Sequence, residues 1–151
     1  TNAYRHAIDD VLAGREVDPV WIEETEKLSH RPYNTGFYYG QPGQYTRDSA
    51  YFSGAEICAI VESCDEDGNA ILTQRNKFSA GDELELMTRD GAPIRFVAEG
   101  MRLPDGTPID STPHAMMEFK MKLPASCERL SVLRRIKDNP LRIRTNGRYA
   151  K

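Results

Sequence analysis

Apolar and polar residues follow two different rhythms along this chain. Before residue 31, Tyr4, Ala7, Ile8, Val11 and Leu12 recur at intervals of three and four. After residue 50, short runs alternate with a period of two between Gly- and Asp-rich turns. The first rhythm belongs to an amphipathic helix and the second to strands with one buried face. Gly14 is a natural stop for the first helix. Asp18-Pro19 opens a second, with Asp as N-cap and Pro in the first turn. Glu23, Glu24 and Glu26 sit toward its N-terminal half, Lys27, His30 and Arg31 lie at or beyond its end, and Pro32 is expected to terminate it. Neither helix is long enough to persist alone in water, so both need a surface to pack on.

Strands are expected over 54–62, 70–75, 83–88, 93–99, 115–123 and 130–136, separated by turns such as Asp65-Glu66-Asp67-Gly68-Asn69, Arg89-Asp90-Gly91 and Pro104-Asp105-Gly106. The sharpest corner is Asn76-Lys77-Phe78-Ser79-Ala80-Gly81-Asp82, followed by Leu84 and Leu86 alternating against Glu83 and Glu85. Gly81 suits a positive φ there, and Asp82 suits acceptance of backbone N–H groups. Glu85 is expected on the wet face. The fold expectation is mainly β: a small antiparallel barrel of about six strands, closed or nearly so, preceded by a short two-helix arm. Three regions result, with the helical arm and an aromatic linker at 1–49, the barrel at 50–136 and a basic tail at 137–151. The expected core is Ile57, Ala59, Val61, Ile71, Phe78, Leu84, Leu86, Phe96 and Leu133.

Composition refines this picture modestly. Apolar content of 39% and charged content of 28% suit a globular domain. No run approaches the ~20 apolar residues of a membrane span. Cys58, Cys64 and Cys127 form an odd set without paired spacing, which points to a reducing, cytoplasmic setting rather than a disulfide framework. Cys58 lies in an apolar run and reads as a buried, inert thiol. The start, Thr1-Asn2-Ala3, has neither an initiator Met nor a signal segment, so the chain is expected to have been cut from something longer. The net charge of −3 is unevenly spread: −3 over residues 1–50, −6 over 51–133 and +6 over 134–151. A basic end on an acidic body points mildly to an anionic partner, although a solvated tail is the simpler reading.

Chemistry is sparse. His6, His30 and His114 are scattered, no cysteine spacing suits zinc or an iron–sulfur cluster, and no nucleophile or phosphate-loop motif occurs. No catalytic residue, metal site or cofactor is therefore assigned to this chain. Residues 32–53 gather glycines, prolines and seven aromatics, as loops that bind or bridge do, and a domain boundary is placed near 44–50. The candidate partner-contacting residues are His30, Arg31, Tyr33 and Phe37, helped by Arg134, Arg135, Arg142 and Arg144. Cation, imidazole and aromatic faces together suit phosphate and stacked bases. They equally suit packing against a neighbouring domain, which is the simpler reading.

The corner carries more than geometry. Asn76, Lys77, Phe78, Gly81, Asp82 and Glu85 resemble the NKF-x-x-GD-x-LE signature of the C-terminal domain of peptidase family U32, the collagenase-like peptidases. Residues 30–37 resemble the HR-x-Y-x-TGF phrase joining the two domains of that family, and Tyr4-Arg5-x-Ala7-Ile8-Asp9 resembles the helix before it. The likeness spans residues 4–136. It implies a fold like the second domain of translation elongation factors, attached to a larger α/β barrel that holds the reactive site and any metal-binding cysteines. The parent's own N-terminal catalytic domain is then the first expected partner. By its name the family hydrolyses peptides, so this domain would be a non-catalytic accessory that assists substrate binding. Some members are instead implicated in hydroxylating a pyrimidine of transfer or ribosomal RNA, in which case it would dock on structured RNA. A purely structural barrel is the third option.

Overall fold

In the computed structural model, residues 1–30, 33, 36–41 and 54–137 are described. Helix α1 spans Asn2–Leu12 and α2 spans Pro19–Glu26. As expected, Asp18 caps α2 by accepting the Val20 N–H at 3.0 Å. The helix ends at Glu26, before the expected stop at Pro32, with Lys27 as its C-cap. Trp21 is buried and stacks on His6, ring centroids 4.1 Å apart, tying the two helices together.

Six strands follow: β1 Ala55–Cys64, β2 Asn69–Gln74, β3 Glu83–Met87, β4 Ile94–Val97, β5 Glu118–Lys122 and β6 Val132–Ile136. They form one antiparallel sheet in the order β4-β3-β6-β1-β2-β5. The architecture is mainly β with two N-terminal helices, as the periodicity predicts. The sheet curls into a half-barrel, with β4 and β5 as its two end strands. Phe119, Leu72, Leu84, Leu86, Leu133, Val61 and Met101 fill its concave side around Phe78. Phe78 is 1% exposed and meets Phe119 edge-on at 5.6 Å.

Three expected core residues fall short of full burial. Ile57 is exposed, because the β1–β6 register shifts between Ile57 and Ala59. Such a bulge buries both Cys58 and Ala59 and flips the phase of the strand before them. Ile71 is only half-buried, since Ala70, Leu72 and Gln74 take the inward positions of β2. Phe96 is half-buried at the core margin, where edge strand β4 has no further strand covering it among the described residues. Cys58 is fully buried as expected, and desolvation pushes its thiol up to about 11.

Candidate interdomain and nucleic-acid interface

The signature corner is a structural joint. The Asn76 side chain donates to the Ile57 carbonyl at 2.8 Å, and the Arg75 and Asn76 backbone N–H groups donate to the Cys58 carbonyl at 2.8 and 3.2 Å. This segment thereby holds the β1 bulge. The Phe78 N–H donates to buried Thr112 Oγ1 at 3.2 Å. Gly81 has φ +90°, and Asp82 accepts the Ser79 N–H at 3.0 Å, so both residues act as the corner requires. Lys77 is exposed.

Glu85 departs from its expected place. It is 3% exposed rather than solvated, because α2 covers the outer face of β3 and β6. The register sets Glu85 opposite Arg134 on one side and Arg95 on the other. Arg134 donates to Glu85 Oε2 from Nη2 at 2.6 Å and from Nε at 2.9 Å, and Nη2 also reaches Glu24 Oε1 at 2.6 Å. Lys27 Nζ bridges the same two carboxylates at 2.7 and 3.2 Å. Two acids and two bases, all with side chains 4–11% exposed, thus lock α2 onto the sheet. Burial alone would push the Glu85 and Glu24 carboxyls up. Hydrogen bonds and charge from Arg134 and Lys27 outweigh it and hold both below the ordinary range.

Arg134, a candidate RNA contact from sequence, is therefore turned into a buried ion cluster. Arg135 donates to Glu56 at 2.9 Å and Asp82 at 3.1 Å. Hydrogen bonding from Arg135 lowers the Glu56 carboxyl. His30 stacks on Tyr33 at 4.1 Å, and the Tyr33 hydroxyl donates to the Thr25 carbonyl at 2.7 Å, so this pair closes the end of α2. Phe37 stands 79% exposed beside Tyr38 and Tyr39, two exposed rings the sequence reading did not single out. Arg31, Arg142 and Arg144, with the boundary near 44–50 and the tail from 138, lie outside the described residues. Glu24 and Lys27 were missed as interface residues. Their partners are 110 and 58 positions away, and no local pattern announces such pairs. Among the described residues, no group of three or more His, Cys, Asp or Glu side chains is placed to hold a metal ion.

Comparison with known proteins agrees with the resemblance. Residues 54–134 match the model of the Peptidase family U32 C-terminal domain, and residues 1–48 match that of Peptidase family U32. The chain is 30% identical over 129 residues to tRNA hydroxylation protein P1 of Bacillus subtilis, covering 81% of this chain and 31% of that protein. It is 35% identical over 114 residues to tRNA hydroxylation protein P of Escherichia coli, covering 73% and 25%. This chain thus spans about a third or less of the length of those relatives. A crystal structure of the C-terminal domain of a Geobacillus thermoleovorans protein of the U32 peptidase family superposes with a TM-score of 0.51 at 26% identity, covering 55% of this chain and 93% of that one. With the signature corner and the half-barrel both in place, the chain belongs to peptidase family U32, and residues 54–134 are that family's C-terminal domain.

Proposed function

We propose that this chain is a non-catalytic accessory part of a tRNA-modifying protein, holding the body that carries the chemistry in register with its RNA. The observation that carries this is the ion cluster of Glu24, Lys27, Glu85 and Arg134. It joins a helix within residues 1–48, matched by the Peptidase family U32 model, to strands within residues 54–134, matched by the C-terminal-domain model. A domain locked so firmly can transmit position, which is what an accessory module must do. Helix α1 buries no residue and leaves Tyr4, Ile8, Val11 and Leu12 exposed, an apolar stripe suited to the rest of the parent protein. The exposed rings of Phe37, Tyr38 and Tyr39 suit stacking on unpaired bases. The names of the curated relatives favour RNA over a peptide substrate.

The test is genetic and chemical together. In cells lacking the parent gene, mass spectrometry of tRNA nucleosides should show loss of a hydroxylated nucleoside. The intact gene should restore it, and a gene carrying Glu85→Ala with Arg134→Ala should restore it poorly. Unchanged nucleosides in the deletion strain, with peptide turnover that follows the gene, would replace this reading with the peptidase one.

A further inference from the structure

Strand β5 alternates strictly, with Phe119 and Met121 in the core and Glu118, Lys120 and Lys122 exposed. Among the described residues, β5 is bridged on its free side only at Lys120, which exchanges backbone hydrogen bonds with Arg102 at 2.7 and 2.9 Å. Mutual hydrogen bonds of this kind place the two residues directly opposite each other. Like charges would normally be avoided there. Here the turn between them supplies carbonyls instead: Arg102 donates to Gly106 O at 3.2 Å and Lys120 to Pro104 O at 2.9 Å. Lys122 follows one strand period away, about 7 Å further on.

None of Arg102, Lys120 and Lys122 has a carboxylate at ion-pair distance among the described residues, whereas Lys27, Arg95, Arg134, Arg135 and Lys137 all do. Acids stand nearby without closing an ion pair: Asp105 feels the charge of Lys120 while its carboxylate accepts the Thr107 N–H at 2.9 Å, Asp65 holds the side chain of Asn69 opposite Lys122, and Glu118 lies on β5 itself. A protein of net charge −3 that satisfies its other sheet cations internally thus keeps three exposed and aligned on one rim. Carbonyl bonds fix two of them without neutralising their charge.

Building on the RNA reading above, we propose that the Arg102–Lys120–Lys122 ridge is this domain's contact with the RNA phosphate backbone. The ridge supplies affinity and orientation and no base readout, as phosphate contacts do. It lies on different residues from the basic candidates that the sequence suggested, two of which, Arg134 and Arg135, are consumed by carboxylates.

The experiment is a salt titration of a transcribed transfer RNA bound to the full-length protein. The triple variant Arg102→Gln, Lys120→Gln, Lys122→Gln should flatten the slope of log affinity against log salt by about two to three, and Lys122→Gln alone by about one. Arg89→Gln, an exposed cation on the β3–β4 turn, should leave the slope unchanged. A steep wild-type slope retained in the triple variant would overturn the ridge and leave the RNA reading intact. A wild-type protein that fails to bind the transfer RNA, or binds it without salt dependence, would overturn both.

Discussion

Replacing Glu85 with alanine removes the carboxylate that accepts Arg134 at 2.6 and 2.9 Å, Lys27 at 3.2 Å and Arg95 at 3.2 Å. The Arg134 side chain is 4% exposed and cannot turn to water, so it must share Glu24 with Lys27. Deleting one partner of a buried pair costs about 3–5 kcal/mol, because the survivor keeps its desolvation penalty. The Arg95 side chain is 76% exposed, so solvent reaches one flank of the cluster. That places the cost at the lower end, about 3 kcal/mol. Thermal melts followed by circular dichroism at pH 7 should then show Tm falling by roughly 6–12 °C. A pH series supplies the second arm. Glu85 and Glu24 have folded pKa values below their ordinary 4.5, so the native state binds fewer protons than the unfolded chain in this window. Their contribution is present above that value and is lost as pH falls through the folded pKa. The gap between wild type and Glu85→Ala should therefore narrow on acidification. A Tm unchanged at pH 7, or a gap that widens in acid, would refute the ion-cluster account.

Two further substitutions probe the signature corner. Phe78→Ala should cost ~3–5 kcal/mol from lost transfer energy and the cavity beside Phe119, read as an equilibrium urea midpoint; an unchanged midpoint would contradict the packing role. Gly81→Val should destabilise by at least ~1–2 kcal/mol through its left-handed backbone alone, since an added Cβ meets nothing within 4 Å. Gly81→Asn should be milder for the same reason, and equal losses in the two variants would point to crowding instead.

Features under short-range control can be read directly from the order of residues. Period-2 alternation and Gly-Asp turns mark the strands, Asp18-Pro19 marks the start of α2, and Gly81-Asp82 marks the corner, because each depends on residues a few positions apart. Phe78 was legible for the same reason: a lone aromatic between a polar turn and an alternating strand has only the core to enter. The tertiary structure decided where local patterns meet. The bulge at Cys58 sent Ile57 outward, and the phase of β2 turned Leu72 inward in place of Ile71. Glu85 and Arg134 each look like solvated strand residues in isolation. They became a buried pair only because β3 and β6, which have β4 and β5 between them in chain order, lie side by side beneath α2. Charge says nothing about burial until its partner is known, and that partner is chosen by the pairing of distant strands.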